Sequence, residues 1–460
     1  MSVIAQTERE SWRPVDVARK LRRRAPILAA VLAIVVAGMA LSFWIDPLTH
    51  HGPGWFVSLD LWNTFRAAQY VGWGFEGEIY KSQTYFDSFP GIVVLLAPVA
   101  KLTGLWHMSE SFPLQLLRPT AWLILGPVAL ILGGVVLFPL DALARRLEVP
   151  ARRRVVLIWL EAALAFPVVA IWGHPEYTVA LAFAIYGLIA ALDTKWVRAG
   201  VFFGFALLFQ PLMLLMMPVA IAFIPRRRWI QLGGLIALPS ALLLIPPLVK
   251  EWSATTYVLL RQPNYPINDH ATPWISLAPV LQRGHSGFVR IAETVKGTNG
   301  KERLTEGLVH LPFGEVVSSG PGRLIAAALA CAIGVWVAKR RPPLAQVVWW
   351  AGVALSLRCV FECVMNPYYL MPGLAIVLVC AALVGSSRLL VAVIVGTAVS
   401  YLSYRHMGPW TYYIIVTGLL FVVLATAWPG GATSSSDVGN GETISGDDAT
   451  LVERATTTSE

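Results

Sequence analysis

The stretch Gly91-Ile-Val-Val-Leu-Leu-Ala-Pro-Val-Ala-Lys-Leu-Thr-Gly-Leu105 decides how this chain is threaded. It is apolar, but Pro98, Lys101 and Gly104 interrupt it. If it crosses a membrane, the next apolar run, Thr120–Leu140, must leave on the outer face. Arg145, Arg146, Arg152, Arg153 and Arg154 would then lie outside. Short loops rich in Lys and Arg stay in the cytoplasm. Gly91–Leu105 is therefore read as an interfacial or re-entrant helix, and the five arginines as cytoplasmic.

Composition places the whole chain in a membrane. Of its 460 residues, 56% are hydrophobic and only 14% charged, with a mean hydropathy of +0.62. A soluble domain carries roughly 25% charged residues, so soluble and disordered classes are excluded. The net charge is +9. Ala432–Glu460 holds six acids against one base, a net −5, so the rest carries +14. In a membrane protein that excess belongs to loops facing anionic headgroups, not to nucleic-acid binding. Cys331, Cys359, Cys363 and Cys380 all fall in apolar runs and fit neither a disulfide framework nor a zinc site.

A spanning helix needs about 20 apolar residues. Pro26–Ile45, behind Arg22, Arg23 and Arg24, is the first, and is read as an uncleaved anchor with residues 1–25 cytoplasmic. Ala199–Ile224 has bases at both ends, Lys195 and Arg198 before it, Arg226, Arg227 and Arg228 after it. It must enter and leave on one side, with Gln210-Pro211 as the break. The alternation gives an all-α polytopic protein of roughly 12 crossings over residues 26–428, with two long outer loops, 46–118 and 250–319. The polar tail, 429–460, is too poor in large apolar residues to fold and lies inside. No internal repeat is visible. Both termini are cytoplasmic and the working face is outside.

The first outer loop opens with Ser58-Leu-Asp-Leu-Trp-Asn-Thr-Phe-Arg-Ala-Ala-Gln-Tyr-Val71. Leu61, Phe65 and Ala68 share one helical face, so this is an amphipathic surface helix, with Asp60 at its start. Asp60-Leu61-Trp62 just after the first span resembles the first-loop aspartate of the GT-C glycosyltransferases. Tyr85…Phe89-Pro90-Gly91…Leu95…Pro98 is similar to their Tyr/Phe-Pro segment on a second juxtamembrane helix. Trp172-Gly-His-Pro-Glu176, Ala199-Gly-Val-Phe-Phe-Gly204 before Gln210-Pro211, and Asn366-Pro-Tyr-Tyr-Leu-Met-Pro372 resemble the actinobacterial mannosyltransferases that use polyprenyl-phosphate sugars.

The resemblance implies a GT-C-like fold with two juxtamembrane helices in the first outer loop. It implies transfer of a sugar, with mannose the first expectation, from a polyprenyl phosphate to a lipid or glycan acceptor at the outer membrane face. A first-loop carboxylate would be the base. Asp60 fits, because a partly desolvated carboxylate is a stronger base; it also fits an N-cap, and the two roles are compatible. Family members often carry paired acids here. Asp60 has no such neighbour, whereas Glu76-Gly-Glu78 does and is the second candidate. Where the family often has Lys near the broken helix, this chain has Gln210, which by the resemblance is a candidate donor-phosphate contact beside Arg358.

Arg358 and Glu362 sit i, i+4 in an apolar helix, so they either neutralise each other or leave Arg358 to bind the lipid phosphate. Glu161 lies mid-span with no local partner. His174 and Glu176 in an outer turn, with Trp62 and Tyr368, are candidate substrate contacts; Trp62 equally suits a headgroup belt. His270, His285 and His310 are too dispersed to suggest a metal. No cofactor is expected, and a divalent metal is left open. The competing reading is a secondary transporter or lipid-linked sugar flippase, which would also use many helices and a broken one.

Overall fold

A computed structural model describes residues 14–44, 55–81, 86–109, 118–262, 264, 270–282, 288–296, 302–310, 315–402 and 408–430. Tyr85, His285 and nearly all of the C-terminal tail lie outside these. The protein is a helical bundle. Among the described residues, six helical stretches are long and apolar enough to cross a membrane: Arg24–Phe43, Trp122–Arg146, Pro175–Leu192, Arg226–Lys250, Gly322–Arg340 and Leu344–Phe361.

Helix α1 (Pro14–Trp44) packs on α4 (Trp122–Gly134) and α6 (Ala151–Ala170). Small residues let these backbones approach. A Cβ at Gly38 would lie 2.5 Å from Leu130, and one at Gly134 would lie 2.6 Å from Val31. Close approach through glycine is how helices associate where no hydrophobic drive exists between them.

Between α1 and α4 come α2 (Leu59–Gly72) and α3 (Gly91–Leu105), which pack on each other. The 15 residues of α3 rise only about 22 Å, short of a hydrocarbon core of about 30 Å. Leu61, Phe65 and Ala68 are fully buried as the spacing predicts. Trp62, Thr64 and Ala67 are buried too, so α2 is covered on more of its circumference than a single surface stripe.

One end of the bundle gathers the bases. Asp141 of α5 (Leu137–Arg146) pairs with Arg145 and Arg154, and Arg146 pairs with Asp193 at the end of α7 (Pro175–Leu192). Arg153 donates to the carbonyls of Ala382 and Leu383, closing the C-terminus of α14 (Met371–Val384). The broken helix also starts and ends there. Its first arm, α8 (Trp196–Phe209), stops at Gln210, which is extended. A tight turn over Pro211–Met216 and the short α9 (Met217–Ile221) follow. Pro211 cannot donate its backbone nitrogen, so the helix breaks where the sequence predicts.

After α10 (Trp229–Lys250) and the short α11 (Trp252–Thr256), the second long loop departs from the all-helical expectation. Antiparallel strands β1 (Val280–Gln282) and β4 (Glu315–Val317) pair, as do β2 (Phe288–Lys296) and β3 (Glu302–His310). The signal was present: Asn299-Gly300 between two alternating runs is a strong hairpin cue. The chain ends in α12 (Gly322–Arg340), α13 (Leu344–Phe361), then α14, α15 (Ser386–Leu402) and α16 (Pro409–Thr426).

Candidate functional site

Opposite the basic end, loops and helix ends from across the chain enclose a cavity of about 190 Å³. Its first wall is built from α2 and the turn before α7. Ser58 donates to the Trp172 carbonyl at 2.8 Å, which pins that turn against the start of α2. Gly173 takes φ +74° there, and a Cβ on it would sit 2.3 Å from Ser58 Oγ. Only glycine fits, which accounts for Trp172-Gly-His.

This junction brings Asp60, His174 and Glu176 together. His174 Nε2 lies 3.2 Å from Asp60 Oδ2, and Nδ1 lies 2.6 Å from Glu176 Oε1. The ring is 4.0 Å from that of Tyr368, centroid to centroid. Asp60 is not the cap of α2: that position is Ser58, and the Asp60 carboxylate turns to the histidine. Its side chain is 51% exposed, open to the cavity, while Glu176 is buried.

Burial pulls the His174 pKa down, but the charges and hydrogen bonds of Glu176 and Asp60 outweigh it and hold it well above the ordinary histidine range. The ring sits between two carboxyl groups, whose pull favours its protonated form. A raised folded-state pKa means stability fully present below about pH 6.5 and lost as pH climbs through the folded value. The expected result is a melting temperature that declines on the alkaline side for the wild type and declines less for His174→Gln. Parallel curves in a thermal scan across pH would remove the charged bridge.

The opposite wall is basic. Arg358, near the end of α13, donates from Nε to Glu362 Oε2 at 3.2 Å and from Nη1 to the Tyr177 hydroxyl at 2.7 Å. Its guanidinium lies 3.2 Å from the Tyr369 ring centroid. Glu362 follows the helix in extended backbone and has no exposed side-chain surface. Arg323 of α12 reaches the same carboxylate, Nε to both oxygens at 3.0 and 3.1 Å, and Nη1 donates to Gln262. The Arg358–Glu362 ion pair predicted from spacing therefore forms, but as part of a three-membered group.

The second long loop is stitched to this wall. Thr272 Oγ1 donates to the Glu362 carbonyl at 2.6 Å, and Met365 N to the His270 carbonyl at 2.9 Å. Gln210, Asn366 and Asp87 also line the cavity. Two buried acceptors, Glu176 Oε2 and Asn366 Oδ1, have no hydrogen-bond partner among the described residues.

Of the residues singled out from sequence, Asp60, His174, Glu176, Gln210, Arg358 and Tyr368 share this cavity. Trp62 does not: it is buried beside Phe65 in the core. Glu76 and Glu78 do not either. They form a turn outside the cavity, where Glu78 pairs with Lys250 at 2.7 Å and Lys81 at 2.6 Å. Hydrogen bonds from Lys250 and then Lys81 hold its carboxyl below the ordinary glutamate range. Glu161 is fully buried away from the cavity, with no hydrogen-bond partner for either oxygen among the described residues. Sequence reasoning missed Arg323, Tyr177 and Gln262. Arg323 reads as a helix-start charge, and nothing local marks a tyrosine in an apolar helix. No protein-family model matches this chain, and no curated protein matches it either.

Proposed function

We propose that this protein is a membrane glycosyltransferase of the GT-C kind, taking a sugar from a polyprenyl-phosphate donor. One observation carries the reading: a single cavity sets an open carboxylate, Asp60, opposite two arginines that share one glutamate. A glycosyl phosphate has the same two ends. Its hydroxyls need acceptors, which Asp60, Asp87 and the unpartnered oxygens of Glu176 and Asn366 supply. Its phosphate needs positive charge. Arg323, Arg358 and Glu362 together carry +1, matching one phosphodiester rather than a diphosphate.

In this reading the acceptor hydroxyl oxygen bonds to the sugar's anomeric carbon. The carbon–oxygen bond to phosphate breaks, and its electron pair stays on the phosphate oxygen. The acceptor's proton passes to Asp60, which lies within reach of the cavity. His174 and Glu176 fix the direction of that carboxylate. The products are a glycoside and a polyprenyl phosphate, with mannose the sugar of first choice by resemblance. The acceptor is a lipid or glycan of the envelope.

The broken helix at the cavity also suits a transporter of lipid-linked sugars. Purified protein given a radiolabelled polyprenyl-phosphate sugar and membrane acceptors separates the two. A transferase forms a new labelled glycoside and releases polyprenyl phosphate; a transporter returns the donor chemically intact.

The reading requires the cavity to face outward. The charge asymmetry supports that, with Arg145–Arg154 and both termini inside and roughly 12 crossings in all. Cys331 is exposed, so it is first replaced by Ser. Cysteine at Glu76 should then label from outside with an impermeant maleimide, and cysteine at Arg152 should not. Outside labelling at Arg152 would reverse the threading.

A further inference from the structure

Arg358 gives Nε to Glu362 and Nη1 to Tyr177, its face is stacked on Tyr369, and the residue is buried. Of the five N–H donors a guanidinium carries, two are thus held by protein groups. Tyr177 is in the reverse position. A phenol has one hydrogen to donate and an oxygen that accepts. Its oxygen accepts from Arg358, so its own hydrogen must point elsewhere. Among the described residues no acceptor takes that hydrogen, and Tyr177 lines the cavity while only 3% exposed. Three rings fix its direction: His174 at 5.9 Å, Tyr368 at 5.1 Å and Tyr369, stacked at 6.0 Å.

We propose that Tyr177 donates its phenolic hydrogen to the phosphate oxygen that leaves the sugar, and that Arg358 acts through it as a positioning residue. This rests on the glycosyl-phosphate reading above. In the substrate the oxygen bridges carbon and phosphorus. As the carbon–oxygen bond breaks, that oxygen keeps the electron pair and gains negative charge. A preoriented neutral donor then bonds more strongly than it did in the ground state. No proton is transferred: the phenol remains a phenol, and the acceptor's proton is on Asp60. Arg358 withdraws density from the phenol oxygen and holds it in place. Glu362, one bond further, keeps the guanidinium neutralised so that the phosphate is not held too tightly to leave.

The test uses the full chain in detergent or liposomes. Tyr177→Phe removes only the hydroxyl. A hydrogen bond to a charged group of this kind supports an expected kcat loss of roughly 10–100-fold, with donor KM little changed. A 3-fluorotyrosine at position 177 keeps the hydroxyl and makes it a stronger hydrogen-bond donor. It should restore kcat near neutral pH to above the wild-type value. If Tyr177→Phe keeps wild-type kcat, or the fluorinated protein stays as slow as Tyr177→Phe, the ring merely packs and the proposal fails while the glycosyl reading stands. If Tyr177→Phe does not fold, the fluorinated protein alone decides: kcat above wild type upholds the hydrogen bond, and an unchanged or lower kcat sinks it. Decaprenyl phosphate binding, followed by thermal shift, gives the separate readout. Wild type that binds it but transfers no sugar, with binding weakened about tenfold by Tyr177→Phe, upholds the phosphate contact and sinks the transferase. Wild type that neither binds nor transfers sinks both.

Discussion

Asp60→Asn should lower sugar transfer by about 10²–10⁴-fold, the span for removing a positioned general base, while protein yield and donor binding persist. The substitution is close to isosteric, and asparagine still offers an oxygen to His174 Nε2. It has no carboxylate to take the acceptor's proton. Loss of helix capping cannot explain a dead variant, because Ser58 holds the cap position and Asp60 points to the histidine. Glu76→Gln and Glu78→Gln are the controls. Glu78 is neutralised by Lys81 and Lys250, and neither glutamate lines the cavity, so both variants should transfer at near wild-type rates. Full transfer by all three variants would end the first-loop carboxylate mechanism. A dead Glu76 or Glu78 variant beside an active Asp60→Asn would move the base to that turn.

Charge at helix ends made much of the architecture readable. Lys195 and Arg198 on one side of an apolar run, with Arg226–Arg228 on the other, force a return, and Gln210-Pro211 is where the backbone turns. The helical character of α2 and α3 followed from 3.6-residue spacing and from length. The strands carry no such signal: around Asn299-Gly300 single apolar residues alternate with polar ones, and neither run has the length or the continuous apolar character of a span. For the site the split has a different cause. Asp60, His174, Glu176, Arg358 and Tyr368 are polar groups in unusual surroundings, and such groups stand out in any apolar sequence. What they touch does not. Tyr177 meets Arg358 across 181 residues, and Ser58 meets Trp172 across 114. Only packing fixes those distances. The i, i+4 rule found the Arg358–Glu362 pair because both lie at one helix end, and it was blind to Arg323, which reaches the same carboxylate from another helix.

That third member changes what removing Glu362 should do. Glu362→Gln keeps the shape of the side chain and removes the one negative charge between two arginines. Stripping one partner from a buried ion pair costs about 3–5 kcal/mol, because the remaining charge stays desolvated. Here Arg358 stays buried among Tyr177 and Tyr369, while Arg323 is 21% exposed and keeps Gln262. The penalty therefore falls chiefly on Arg358. The expected result is a large fall in melting temperature, read by intrinsic fluorescence in detergent. Pairing the change with Arg358→Met should recover most of it, since an apolar side chain of similar length replaces the stranded cation. Arg323→Met in place of Arg358→Met should recover much less, because solvent already relieves that charge. Equal recovery from the two methionine variants would mean that exposure does not set the cost. An unchanged melting temperature in Glu362→Gln would mean that Glu362 is not the counter-charge at all. A second consequence links the group to turnover. With the glutamate neutralised, the basic wall carries +2 where it carried +1, so decaprenyl phosphate should bind more tightly and stabilise Glu362→Gln more than wild type. Tighter product slows release, so the variant's steady-state rate should fall further than its first-turnover rate. A wall built only to bind phosphate would have no use for Glu362; one that must also let phosphate go needs it.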